Sequence, residues 1–198
     1  SPAVASDANG DFVVVWYDSQ DSGGVFGQRF DAGGLPQGSE FPVNSYSTGF
    51  QGAPAVASDA NGNFVVVWQS HGQDGSSSGV FGQRFSGSGL PQGSEFQVNS
   101  YTTGFQGYPL KVASDASGNF VVAWTSAGQD GSGYGVFGQR FNASGVPQGT
   151  EFQVNAYTTS DQRGPAVASD QNGDFVVAWR SNGQDGSGYG VFGQRFNA

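Results

Sequence analysis

Short apolar runs alternate along the chain with polar, glycine-rich stretches, and one run, Phe64-Val-Val-Val-Trp68, is apolar at five successive positions. A strand with that pattern needs cover on both faces, a condition that stacked sheets satisfy and a lone hairpin does not. Twelve residues after its Trp begins a second run, Val80-Phe-Gly-Gln-Arg-Phe85. The pair recurs as Phe12 to Trp16 with Val25 to Phe30, Phe120 to Trp124 with Val136 to Phe141, and Phe175 to Trp179 with Val191 to Phe196. From Trp16 to Trp68, Trp124 and Trp179 the steps are 52, 56 and 55 residues, a period of blade or solenoid size.

Each unit holds four strand candidates, A to D. In the second unit they are Pro54 to Ser58, Asn63 to Gln69, Gly79 to Phe85 and Glu95 to Asn99. Asp59-Ala-Asn-Gly62 and its counterparts at Asp7, Asp115 and Asp170 place Asp first and Gly fourth, as a type I turn prefers, so A and B form a hairpin. Gly and Pro between C and D favour another reversal, and the four strands make one meander. Strand A is small and Ala-rich, which suits crowding near an axis. The expected fold is therefore all-β: a four-bladed β-propeller of four-stranded antiparallel sheets, with the last blade lacking its outer strand. The alternative is a string of tandem β-sandwich modules, for which a 55-residue unit of four short strands is meagre. Residues 1–198 then form a single repeat domain, with blades at about 1–52, 53–107, 108–163 and 164–198.

Two local expectations follow from irregularities among the repeats. Pro109-Leu-Lys-Val-Ala113 has one residue more than the Pro-Ala-Val-Ala of other units, which predicts a bulge at the start of that strand. The fourth unit has no strand D, which leaves Val191 to Phe196 as an open edge available for self-association.

Composition narrows the function classes. The chain has 34 Gly and 17 Phe, no Cys or Met, and a formal charge of −9 with seven basic residues. Lacking Cys, it has no thiol catalysis, disulfide or thiolate metal site. Without a basic stripe, a nucleic-acid partner is not expected. No apolar run approaches the ~20 residues of a membrane span, so no membrane insertion is expected either. The chain begins at Ser1 and carries no signal peptide, and it reads as a processed or excised piece of something longer.

The combination Pro-Ala-Val-Ala-Ser-Asp, Gly-Asn-Phe-Val-Val-Ala-Trp, Gly-Gln-Asp-Gly-Ser-Gly-Tyr-Gly-Val-Phe-Gly-Gln-Arg-Phe and Glu-Phe-Gln-Val-Asn resembles repeats of large secreted bacterial surface proteins of the calcium-binding, repeats-in-toxin kind. The resemblance spans the whole chain and implies export, a secreted or cell-surface location, and calcium. The nonapeptide calcium repeat itself is not found. Oxygen ligands at alternate positions, as calcium loops offer them, occur at Asp7 with Asp11 and at Asp170 with Asp174. Turn chemistry alone also accounts for these residues, so no cofactor is expected to be required, and Ca2+ is the one ion the residues could take.

Arg29, Arg84, Arg140 and Arg195 recur at one place in strand C and predict ion pairs with the repeated Asp of the A–B turn or Glu of strand D. The four Trp residues are expected to pack between blades. On the other rim, the loops after strand B carry Gln73-Asp74, Gln129-Asp130 and Gln184-Asp185, while the crossovers between blades carry Tyr46, Tyr101 and Tyr157. Aromatic faces, carboxylates and amides gathered at each junction form the inventory of a sugar-binding cleft. His71 is the sole His and has no partner nucleophile or metal-ligand spacing, and the carboxylates are replicated rather than singled out. The sequence thus predicts no enzyme. It predicts a non-catalytic module that binds extracellular glycans or surface polysaccharide weakly and multivalently, in lectin or adhesin fashion, with a purely structural repeat as the alternative.

Overall fold

The computed structural model describes residues 2–19 and 23–198. The described residues form four antiparallel sheets and no helix. The first blade is β1 (Ala3–Ser6), β2 (Phe12–Asp18), β3 (Gly24–Phe30) and β4 (Phe41–Pro42); the second is β5 (Gln51–Ser58), β6 (Phe64–His71), β7 (Ser78–Phe85) and β8 (Phe96–Gln97). The third is β9 (Gln106–Ser114), β10 (Phe120–Ala127), β11 (Tyr134–Phe141) and β12 (Phe152–Gln153), and the fourth is β13 (Gln162–Ser169), β14 (Phe175–Asn182) and β15 (Tyr189–Phe196). Every sheet is a meander in sequence order, with strand B paired to A and C. This is the four-bladed propeller, with a three-stranded last blade.

Each hairpin turn is made by its Asp. One carboxylate oxygen of Asp59 accepts the amides of Asn61 and Asn63 at 2.8 and 2.9 Å, and Asp7, Asp115 and Asp170 do the same in their own turns. Strand D is shorter than the sequence suggests, only two residues in each of the first three blades. An Asn side chain takes over where its ladder stops: Asn44, Asn99 and Asn155 Oδ1 each accept the amide of a strand-C Val at 2.7 Å. The Gly in Val-Phe-Gly-Gln-Arg-Phe is required by close approach. A Cβ on Gly27, Gly82 or Gly138 would lie 2.7, 2.8 or 2.8 Å from the Phe ring of strand D that covers it.

Blades pack by setting unlike faces together. Val13, Val15 and Val25 of the first blade meet Phe64, Val66, Trp68 and Phe85 of the second in one buried cluster. The same pairing joins Val65, Val67 and Val80 to Phe120, Val122 and Trp124, and Val121 and Val136 to Phe175 and Trp179. Within the aromatic face, Phe64 stacks on Phe85 and Phe120 on Phe141 at 5.0 and 4.9 Å. Trp68 and Trp124 are wholly buried, which agrees with the expectation that the Trp residues pack between blades. Covered on both sides, β6 and β10 are buried almost throughout, whereas β14 alternates buried and open. The inner strands pack β1 on β5, β5 on β9 and β9 on β13, with no comparable packing of β13 on β1.

The insertion at Pro109 makes the expected bulge, in a setting the repeats concealed. Opposite Trp68 and Trp179 the inner strand already carries one extra residue, because Gly52 pairs with Gln69 while Ala55 pairs with Val67, and Arg163 pairs with Arg180 while Ala166 pairs with Ala178. In the third blade Leu110 pairs with Trp124 and Gly107 with Thr125, so Tyr108 and Pro109 are both left over. The insertion enlarges an existing bulge and pushes Tyr108 out, where it is 56% exposed.

Candidate functional site

The molecule has two unlike rims. The rim of A–B turns carries three equivalent clefts at the three blade junctions, each bounded by a turn Asp, a strand-C Arg and a stacked Phe pair. The predicted Arg ion pairs do not form there. Arg29, Arg84 and Arg140 donate to main-chain carbonyls of the next blade, those of Ser88, Ser144 and Asn197, at 2.7, 2.8 and 3.2 Å. The reach of the side chain across the junction explains this: the carbonyl lies in the following repeat, while the carboxylates are already engaged by turn amides. Burial lowers the pKa of Arg84 from its ordinary value. Among the described residues, Arg195 of the fourth blade is the one strand-C Arg that pairs with an acid, Asp174 at 2.9 Å.

The candidate metal ligands lie on this rim but in opposite end blades. Asp7 spends one oxygen on the amides of Asn9 and Asp11, while Asp11 accepts the amide of Ala32. Asp170 accepts from Asn172 and Asp174, and Asp174 from Ala198 and Arg195. Among the described residues no group of three or more His, Cys, Asp or Glu side chains converges.

On the opposite rim, the predicted ligand residues are drawn into a network that ties blades together. Gln73 donates to Glu95 Oε1, whose Oε2 accepts the amide and hydroxyl of Ser45 in the crossover from the preceding blade, at 2.8 and 2.9 Å. Gln129, Glu151 and Ser100 repeat the arrangement. Asp74, Asp130 and Asp185 each accept the amide two residues ahead, from Ser76, Ser132 and Ser187. Gln184 has no strand-D Glu in its blade, and its Oε1, like those of Gln73 and Gln129, is buried without a partner. Tyr46, Tyr101 and Tyr157 are half-buried, with their carbonyls accepting from Asn44, Asn99 and Asn155. None of these nine residues lines the four clefts described here.

A different set meets between the third and fourth blades. Phe105, Tyr108, Pro109, Thr125, Tyr134, Arg163, Gly164 and Arg180 line one cavity of about 590 Å3. The Arg163 guanidinium lies 3.7 Å from the centre of the Tyr134 ring and is steadied by Asp161 at 2.7 Å. Such stacking contributes roughly 0.5–2 kcal/mol and holds the planar group broadside to the ring. Phe105 meets the same ring edge-on at 6.3 Å. Arg180 sits 5.1 Å from the Tyr189 ring and, among the described residues, has no carboxylate within ion-pair distance. The amide of Tyr108 is anchored on Gln69 Oε1 at 3.1 Å. Exposed Tyr and Arg surfaces thus converge in one place in a chain of net charge −9.

The chain carries a signal for this cavity that repeat-by-repeat reading passes over. Four otherwise matching units differ at the two positions that supply Thr125, Arg180 and Tyr134 to it: the residue after the strand-B Trp is Tyr17, Gln69, Thr125 or Arg180, and the residue before the first Gly of strand C is Gly23, Ser78, Tyr134 or Tyr189.

No protein-family model matches the chain, and no curated protein sequence matches it. Solved structures do. An α-L-arabinanase of Penicillium chrysogenum, complexed with arabinobiose, superposes on 98% of the chain with a TM-score of 0.63 at 16% identity. The Aleuria aurantia lectin in complex with Fucα1-6GlcNAc covers 97% with 0.60 at 12%, and an endo-arabinase of Bacteroides thetaiotaomicron covers 100% with 0.55 at 13%. The chain spans 65%, 61% and 74% of these chains respectively. At such identities the likeness is one of fold, and it confirms a propeller-like repeat architecture. It also corrects the expectation of a non-catalytic module. The same architecture serves arabinanases as well as a lectin, so the absence of a familiar triad or zinc template does not exclude an enzyme, and neither weak multivalent binding nor a purely structural repeat follows from the fold.

Proposed function

We propose that the chain recognises carbohydrate in the cavity between its third and fourth blades. The observation that carries this reading is the convergence there of the Tyr108 and Tyr134 rings with the Arg163 and Arg180 guanidinium groups. Aromatic faces stack on the apolar face of a pyranose or furanose ring, and guanidinium forks bond its hydroxyl or carboxylate oxygens. That saccharides occupy the solved arabinanase and lectin of like fold supports the reading. Because Arg180 lacks an acidic partner, sugars bearing carboxylates are favoured over neutral ones. Titration calorimetry against arabino-, xylo-, fucosyl- and uronate oligosaccharides, with a reducing-end assay on the same samples, reads binding and cleavage together. Saturable binding that Tyr134→Ala and Arg163→Ala each weaken is the expected result. Binding untouched by both substitutions places the ligand elsewhere.

The resemblance of the repeats to those of secreted bacterial surface proteins supports a location outside the cell or on its surface, where polysaccharide is the abundant partner. The repeats-in-toxin resemblance also keeps calcium as a proposal for the Asp7–Asp11 and Asp170–Asp174 turns. Chelation that lowers the melting temperature would support it.

A further inference from the structure

The end blades present the two halves of an interface that the molecule forms three times inside itself. At every internal junction the Val face of one blade meets the Phe–Trp face of the next. The fourth blade keeps its Val face open. Val191 is 82% exposed where Val25, Val80 and Val136 are fully buried, and Val176 is 46% exposed where Val13, Val65 and Val121 are at 2, 4 and 4%. The first blade keeps its other face open, with Val4 64% exposed where Val56 and Val112 are at 8 and 9%.

Polar groups at the two ends are complementary as well. At the internal junctions an Arg crosses to the next blade and packs over a loop glycine, so that a Cβ on Gly89 or Gly145 would lie 3.0 Å from Arg29 or Arg84. The matching Gly34 of the first blade has nothing within 4 Å, and the matching Arg195 of the fourth has a side chain 73% exposed. The turn Asp behaves alike. Asp7, Asp59 and Asp115 reach to 3.0, 3.1 and 3.3 Å of a Cβ on Gly62, Gly118 and Gly173, while Gly10 has no Asp beside it and Asp170 is exposed.

We propose that the open Val face of the fourth blade docks on the open aromatic face of the first blade in a second copy of this chain, head to tail, in the geometry of the internal junctions. The contact is between faces, with the edge of β15 following it rather than leading. It is heterologous, since two different surfaces meet, so association can proceed beyond a dimer until a ring closes. One tie of the first two internal junctions is missing from it: the Glu–Ser bonds of Ser45 to Glu95 and Ser100 to Glu151 need a strand D in both blades, and the last sheet has three strands. The docked junction is therefore expected to be weaker than those two.

Sedimentation velocity on the purified chain over a wide concentration range provides the test. Wild type is expected to gain mass with concentration. Val4→Glu and Val191→Glu, both at exposed positions that leave the fold intact by circular dichroism, are each expected to stay at one chain. Mixed, they should form a 1:1 complex and nothing larger, because each retains the end the other has lost. A wild-type chain that remains single throughout overturns the proposal. So does association that survives in one variant alone with no mixed complex, which would mean a symmetric contact between like ends.

Discussion

The two rims of the propeller are built from the same repeats and put them to opposite use. On the A–B turn rim the residues of each unit match, and each side chain is consumed by structure: Asp in its turn, Arg in the next blade's carbonyl, Phe on Phe. The other rim also has matched residues tied up in structure, the Gln–Asp loops, but beside them the units diverge, and the divergent residues, Tyr108, Tyr134, Arg163 and Arg180, leave rings and guanidinium groups facing an open cavity. In a repeat protein, identity between units thus marks what holds blades together. A specific site is built from what differs, because four equal positions cannot make one asymmetric pocket.

The comparison breaks if substitutions on the repeated side are cheap. Trp124→Ala, which empties a wholly buried position between the second and third blades, is expected to cost about 3–5 kcal/mol in urea unfolding, with ligand affinity unchanged in whatever folds. Trp16→Ala, on the half-open face of the first blade, should cost clearly less, and an equal loss would deny that the end face is uncovered.

Next in size is Asp59→Ala. It strips the acceptor from two amides and from the Asn63 side chain at 2.8 Å, and is expected to cost roughly 1–3 kcal/mol. Asp7→Ala removes the one oxygen that accepts two amides, without the Asn contact, and should cost less by thermal melting.

On the divergent rim the expectation inverts. Arg163→Ala should weaken saccharide binding by about 0.5–2 kcal/mol, up to roughly thirtyfold in Kd, while the melting temperature moves little. A large stability loss with unchanged affinity would make the Arg163–Tyr134 stack a strut rather than part of a site.

The smallest effect concerns pH. The Ala198 amide, then the Arg195 side chain, hold the Asp174 carboxyl below its ordinary pKa. A depressed carboxyl contributes stability above its unfolded-state value and loses that contribution as pH falls through the lowered folded-state value. Asp174→Asn should therefore be slightly less stable than wild type at neutral pH, with the difference vanishing in acid below the usual carboxylate range. The pair is exposed, so salt should shrink the difference further.

The chain by itself determined the blade. Five apolar residues in succession, an Asp-x-x-Gly turn and a repeated Gly-containing strand C are local statements, legible because backbone pairing within a meander joins neighbours in sequence. The extra residue at Pro109 was legible in the same way. What tertiary structure alone decided lies across the junctions. The strand-C Arg found a carbonyl some sixty positions away rather than a carboxylate (Arg29 to Ser88, Arg84 to Ser144), and a carbonyl leaves no mark in a sequence because every residue has one. Gln73 and Gln129, which look like free ligand groups in a polar loop, were taken up by the Glu of strand D, while the cavity beside them is lined by residues from different blades that no spacing rule connects. Nor could the repeats say that their ends stay apart. Local patterns set what a blade needs on each face, but the rotation between blades decides whether the first and last supply it to each other.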